Sequence, residues 1–338
     1  MDMNYALILG VTGFLSLALS AGLGKVVIPW LHKLKFGQTI REEGPSWHEK
    51  KQGTPTMGGL LFIAGFLVAS LVALALMQFI TVEGMFAYSL ETVRFWAGIG
   101  LALGCGAIGF ADDFIKVVKK RNLGLTARQK LLFQLTLATA YAVVMYLYGC
   151  EGKFVIPFFG VVDWGIWYIP FTVFVIVAMT NATNLTDGVD GLCAMTAFVA
   201  SVTLLILCGM VGLLSQSILA VALAGGLVGF LIWNLHPAQV FMGDTGSLFI
   251  GGALTALAFG IDQPFLLVPI GVLYIAENLS VILQVSYFKL THGKRLFKMS
   301  PLHHHFEMCG WSENKIVLIF SGVTLLGCVG AVLLQQYA

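Results

Sequence analysis

Charge is what this chain of 338 residues has little of: Asp, Glu, Lys and Arg together make up 11% of it. Hydrophobic residues reach 58% and the mean hydropathy is +0.89, whereas soluble domains run at about 45–50% apolar. A soluble globular fold is therefore excluded, and the chain reads as an integral membrane protein. Cysteine is also sparse. Cys105, Cys150, Cys193, Cys208, Cys309 and Cys328 are scattered without a C-x-x-C pair or metal-type spacing, which leaves helix packing as their role. The start of the chain lacks the basic residues of a secretory signal: Met1 to Tyr5 hold no Lys or Arg, and the apolar run continues to about Leu31. The first helix is expected to be kept. No internal repeat or low-complexity linker is visible and the loops are brief, so residues 1–338 are expected to form a single polytopic domain.

What the sequence does have is a series of long apolar runs. About ten are long enough to span a bilayer, near residues 5–31, 57–80, 95–110, 131–148, 166–180, 192–211, 217–233, 247–259, 265–288 and 316–334, the fifth and eighth being short. The expectation is an all-α membrane protein of about ten transmembrane helices. Basic residues cluster after the first span (Lys33, Lys35, Arg41, Lys50, Lys51), after the third (Lys116, Lys119, Lys120, Arg121, Arg128, Lys130) and around the loop after the ninth (Lys289, Lys294, Arg295, Lys298, Lys315). The opposite loops hold only Arg94 and Lys153. Because cytoplasmic loops accumulate Lys and Arg, this asymmetry puts the N-terminus outside and the basic loops in the cytoplasm.

The scarce polar residues fall in four short gaps, all on the basic side. Asp112 and Asp113 in ADDFIK precede Lys116, and on a continuing helix Asp112 and Lys116 share a face. A solvated helix end would explain them; so would a divalent cation or cationic cluster, since adjacent carboxylates repel one another. NATNLTDGVDGL places Asn181, Asn184, Asp187 and Asp190 at steps of three. Turn-forming Asx residues account for some of this, but such a regular set between two spans is costly without a function. The EF-hand pattern fits only in part, because its final Glu is missing. In NLHPAQVFMGDTGS, Gly243 and Gly246 bracket Asp244 and Thr245 at a helix start, where backbone N–H groups can face an anion and Asp244 can hold a cation. Mg²⁺ suits such a site, since it takes one or two carboxylates and completes its shell with water and phosphate oxygens. Phe241 is the large aromatic of that gap, a packing residue or a stacking platform. His303, His304 and His305 cannot all bind one ion from a helix, where they point about 100° apart, but one or two can donate to a phosphate. Glu277 and Asn278 fall within the ninth span as buried partners of other helices, although an intramembrane carboxylate also raises transport.

At these residues the chain resembles the polyprenyl-phosphate N-acetylhexosamine-1-phosphate transferases, and within them the phospho-N-acetylmuramoyl-pentapeptide transferase (translocase I) family. KKQGTPTMGG (Lys50 to Gly59), GFADDFIK, NATNLTDGVDGL, FMGDTGS and PLHHHFE follow in family order along the whole chain. The resemblance implies transfer of phospho-MurNAc-pentapeptide from UDP-MurNAc-pentapeptide to undecaprenyl phosphate, giving lipid I and UMP in peptidoglycan synthesis, with Mg²⁺ as cofactor. It further implies a homodimer in the bacterial plasma (inner) membrane, a cytoplasmic active site, and a lipid groove beside the ninth helix; nucleic acid is not among the expected partners.

By motif, Asp112, Asp113 and Asp244 resemble the family's essential carboxylates, with Asp244 as the Mg²⁺ ligand, Asn181 a second candidate ligand, and Asp112 the group that deprotonates the polyprenyl phosphate. Lys51, Asn184, Asp187, Asp190, Asn234 and Phe241 match positions around the nucleotide, and Gly243 belongs with them. Lys116 and Lys130 match basic positions near phosphates, and His303 and His304 positions near the sugar diphosphate. Gln52 stands where a second basic residue is common. A sister transferase for UDP-GlcNAc would share the carboxylates, but PLHHHFE favours the muramoyl-pentapeptide branch. A secondary transporter, suggested by Glu277 and the glycines near Ala224 to Gly229, would place its site near the midplane between repeated halves, and no repeat is visible.

Overall fold

The structure is a computed structural model that describes residues 3–33, 51, 53–80, 90–118 and 124–338. Lys35, Arg41, Lys50, Gln52, Lys119, Lys120 and Arg121, invoked above, lie outside the described residues. The long helices are α1 (Met3–Lys33), α2 (Gly59–Ile80), α3 (Leu90–Val118), α4 (Ala127–Met145), α5 (Tyr168–Thr186), α6 (Leu192–Val211), α7 (Leu214–Asn234) and α8 (Gly243–Gly260). After them come the short α9 (Leu267–Ile270), α10 (Val272–Leu290), the short α11 (Leu302–Glu307) and α12 (Glu313–Leu334). Among the described residues eight helices are long and apolar enough to cross a membrane, and nine if the pair around Gly271 counts as one span. This is an all-α multi-pass membrane protein.

The helices and loops depart from the expected pattern in four places. The helix expected to end near Phe110 runs on to Val118, and the one expected to end at Thr180 runs on to Thr186. Asp112, Asp113 and Lys116 therefore sit on α3, and Asn181 and Asn184 on α5, so a rigid helix rather than a loop aims each of them. The run expected as the ninth span is broken: residues 264–270 and α10 meet at 77°. A hairpin of β1 (Lys153–Ile156) and β2 (Gly160–Asp163) was not anticipated. Its signal was present in the β-branched run and in Gly160, which takes φ 71° in the turn.

α8 organises the bundle. It packs most extensively against α3 and also against α5 and α2, and every residue from Thr245 to Gly260 is buried. Such a helix touches protein rather than lipid, so its polar first turn is tolerated. Each end is fastened to α3. At the far end the Arg94 guanidinium is buried; it donates to the carbonyls of Gly149 (2.8 Å) and Gly260 (3.0 Å) and pairs with Asp262 at 2.6 Å. Arg94 thus caps two helix C-termini, where a cation opposes the negative dipole end. It does not stand free in a loop, as the sequence suggested. At the near end, Asp113 of α3 holds the start of α8. At 1.5 Å per residue, Arg94 and Asp113 lie about 28 Å apart along α3, so the hairpin and the carboxylate gaps occupy opposite ends of the bundle.

Candidate active site

Asp112, Asp113 and Asp244 each present a carboxylate oxygen within 4.8 Å of the others. Both Asp112 and Asp113 are 3% exposed. Asp113 accepts hydrogen bonds from the backbone N–H of Asp244 (3.2 Å) and Thr245 (2.9 Å) and from the Thr245 hydroxyl (2.7 Å). It is the N-terminal cap of α8, supplied in trans by α3. Gly243 makes this possible. Its φ is 70°, and a Cβ there would stand 2.5 Å from Asp113 Oδ2, so both conformation and space require glycine.

Two lysines meet these carboxylates. Lys116 Nζ lies 2.5 Å from Asp112 Oδ2 and 3.1 Å from Asp244 Oδ2, and Lys130 Nζ donates to the same Asp244 oxygen at 2.7 Å. Asn184 donates to Asp244 Oδ1 at 2.8 Å and to the Ser247 hydroxyl at 2.9 Å. Asp112 Oδ1 accepts from the backbone of Leu125 at 2.8 Å, which ties the α3–α4 connection to the site. Lys130 is held on α4 by a capping box, with Thr126 and Gln129 bonded reciprocally.

A second cluster lies beside the first. Lys51 Nζ donates to Asp190 at 2.7 Å and to Glu313 at 2.6 Å. Asp190 Oδ2 lies 3.0 Å from His236 Nδ1 and accepts from Ala238 N–H at 3.1 Å. Burial alone would lower the Lys51 ammonium, but its hydrogen bonds to Asp190 and Glu313 outweigh burial and raise it above the ordinary lysine value. Asp190, His236 and Glu313 have the spacing of a metal group, but Lys51 already supplies the cation there. Asp187 ends α5 between the two clusters. Burial, and then the charges of Asp244, Asp113 and Asp190, push its carboxyl well above the usual range, with Lys51 opposing.

Asn234 braces this region from below, accepting from Gly191 N–H (3.1 Å) and donating to the Val240 carbonyl (2.9 Å). Phe241 is half-buried, and its backbone is fixed by bonds with Pro55 and Gly58, each 2.8 Å long. Two expected residues make other contacts than with the carboxylates of Asp112, Asp113 and Asp244. Asn181 lies one turn back on α5 and donates to Gln134 (3.0 Å) and the Val177 carbonyl (2.7 Å), so both of its amide hydrogens are engaged away from Asp244. His303 is 1% exposed and packed against Glu277, whereas His304 is partly exposed, its Nδ1 lying 2.6 Å from Glu307. Sequence reasoning missed Glu313 and His236. Glu313 follows the N-cap Ser312, so its acidic side chain reads as an ordinary first-turn residue of α12.

An all-oxygen set of three carboxylates with two lysines at one end of a membrane bundle is suited to anions and to a hard cation. Comparison with known proteins decides which family carries it. The chain is 44% identical over 331 residues to the phospho-N-acetylmuramoyl-pentapeptide-transferase of Halalkalibacterium halodurans, covering 98% of both chains. This chain belongs to that family. The transferase of the same name from Alkaliphilus oremlandii is 47% identical over 341 residues, covering 97% of this chain and 96% of that one; the one from Clostridium perfringens is 46% identical over 317 residues, covering 93% and 94%. A family model described as glycosyl transferase family 4 matches residues 95–261, and the phospho-N-acetylmuramoyl-pentapeptide-transferase signature 1 matches residues 51–63. The first match spans α3 to α8 and contains both carboxylate clusters apart from Glu313. The second begins at Lys51 and takes in the segment that pairs with Phe241 and Met242.

Proposed function

We propose that this transferase moves phospho-MurNAc-pentapeptide from UDP-MurNAc-pentapeptide to undecaprenyl phosphate, giving lipid I and UMP at the cytoplasmic face of the bacterial plasma membrane. The observation that carries the reading is the meeting of Asp112, Asp113 and Asp244 with Lys116 and Lys130, in a chain related over its whole length to transferases of that name. Two anionic substrates have to approach one another, and the lysines offset their repulsion and stabilise charge on the transferring phosphoryl group.

In this reading an oxygen of the lipid phosphate attacks the phosphorus bonded to the sugar, the diphosphate P–O bond breaks, and UMP leaves with the bonding pair. Asp112 takes the proton of the lipid phosphate, and Lys116 holds Asp112 and Asp244 together. Asp113 keeps the α8 N-terminus in place. Asp244 is the carboxylate best placed to hold Mg²⁺, with Asp112 nearby; when bound, the ion would neutralise diphosphate charge. Lys51, Asp187, Asp190 and Asn234 line the nucleotide side, and Phe241 stacks on uracil. The partners are the two substrates, surrounding membrane lipids and a second copy of the chain in a homodimer.

Release of UMP by detergent-purified protein, with each UDP-sugar supplied in turn, tests the reading. Release with UDP-MurNAc-pentapeptide and undecaprenyl phosphate is expected. Release with UDP-GlcNAc alone would move the chain to the sister branch, and no release at all would remove the enzyme reading.

Orientation has its own test. In a cysteine-free background, Lys294→Cys at the carboxylate end is expected to react only with thiol reagents that enter the cytoplasm. Phe159→Cys, 80% exposed at the hairpin tip, should react from outside. Outside labelling of Lys294→Cys would overturn the cytoplasmic assignment.

Stacking on a base is worth about 1–3 kcal/mol, so Phe241→Ala is expected to weaken uridine-nucleotide binding by about five- to a hundredfold. Phe241→Trp should retain much of the affinity. Calorimetry and thermal melting on the same samples separate this from packing, because lower stability with unchanged affinity would take Phe241 out of the site.

A further inference from the structure

Glu277 on α10 is fully buried, and so is nearly all of His303 at the start of α11. Glu277 Oε1 accepts the backbone N–H of His303 at 3.2 Å and lies 3.2 Å from its Nδ1. Neither ring nitrogen of His303, nor Glu277 Oε2, has an aligned hydrogen-bond partner. Burying polar atoms this way is costly, and a ring that only filled space would be served better by a hydrocarbon. The other edge of the ring faces Gly188, where a Cβ would stand 2.2 Å from Nε2 and 2.9 Å from Cε1. Gly188 is not among the residues with positive φ, so its backbone accepts an alanine. The three atoms nearest to that Cβ all belong to the imidazole.

We propose that His303 is a positioning residue, a spacer wedged between Glu277 and the Asp187–Asp190 turn that sets how far this turn stands from α10 and α11. The ring cannot retreat from Gly188, because Glu277 closes its opposite side. Its burial keeps it from touching substrate, so it acts through the turn that carries Asp187 and Asp190. This inference rests on the assignment of that turn to the nucleotide donor. It divides the histidine run between two tasks: His303 fixes the turn, and the partly exposed His304 faces outward beside Glu307.

The test is a double-mutant cycle on the full-length protein with Gly188→Ala, His303→Asn and the two combined. Asn retains an amide that can reach Glu277 but removes the ring atoms that crowd Gly188. Gly188→Ala alone is expected to raise the KM for the UDP-sugar donor by about tenfold or more and to lower Tm, with the KM for the lipid acceptor within about twofold. Adding His303→Asn should return donor KM and Tm to the values of His303→Asn alone. Effects that simply multiply in donor KM and add in Tm would overturn the inference, as would a Gly188→Ala protein with normal donor KM or with both KM values raised alike. The Tm cycle reads the steric coupling without substrate. A wild-type protein that released no UMP would therefore sink the proposed reaction, while Tm shifts that fail to couple would sink the wedge.

Discussion

Asp244→Asn is expected to leave a folded protein whose UMP release falls by at least about two to three orders of magnitude. The substitution is isosteric, so Asn184 keeps an oxygen to bond and the backbone N–H of residue 244 still reaches Asp113. The negative charge between Lys116 and Lys130, which meet on one Asp244 oxygen at 3.1 and 2.7 Å, is lost. Lys116 then keeps Asp112 as its close carboxylate partner, Lys130 loses the carboxylate it pairs with, and the place best suited to a divalent cation loses its charged ligand. Turnover measured against Mg²⁺ concentration, beside thermal melting, checks this. Near-normal turnover with unchanged Mg²⁺ dependence would remove Asp244 from the metal and phosphate site.

Gly109→Ala should be comparably damaging although residue 109 carries no chemistry. A Cβ there would stand 2.1 Å from the Asp244 carbonyl oxygen and 2.7 Å from Thr245 N. These are backbone atoms of the first turn of α8, so no side chain can swing away. The helices would have to part by about 1 Å at the point where Asp113 caps α8, and a displacement of that size can cost about a hundredfold in rate. Gly100→Ala is the control. It lies on the same helix, is exposed, and has nothing within 4 Å of the added methyl group, so activity should be unchanged and stability slightly higher. A Gly109→Ala enzyme with wild-type turnover would show that α3 and α8 are not held in the register on which the site depends.

How much of this was legible beforehand differs by residue. Hydropathy alone located the helices, because a bilayer demands long apolar runs with internally bonded backbones. The same contrast marked the polar gaps, since carboxylates are conspicuous where charge is rare. Asp112 and Lys116 could be placed on one face from spacing, and the ion pair is there. Helix ends were less legible. Asp113 caps α8 from another helix, and a cap supplied in trans leaves no local sequence pattern. The break at Gly271 was also hidden, because an apolar run reads alike whether straight or bent.

Composition and the order of motifs determined that this chain is a helical membrane protein and which family it resembles; both depend on local hydrophobicity and on residues close together in sequence. Only the tertiary structure decided the division of labour among the polar residues. Lys51 meets Glu313 from the other end of the chain, Asn184 reaches Asp244 while Asn181 turns to Gln134, and Arg94 is spent on the ends of two helices. Residues three apart on a helix diverge by about 60°, enough to send one amide into the site and its neighbour into a helix contact. Which one points inward depends on how α5 is rotated against α8. That rotation is set by close backbone approaches such as Gly251 against Thr180, where a Cβ would stand 2.6 Å from the Thr180 Cα, and such contacts between distant segments carry no signature in the order of residues.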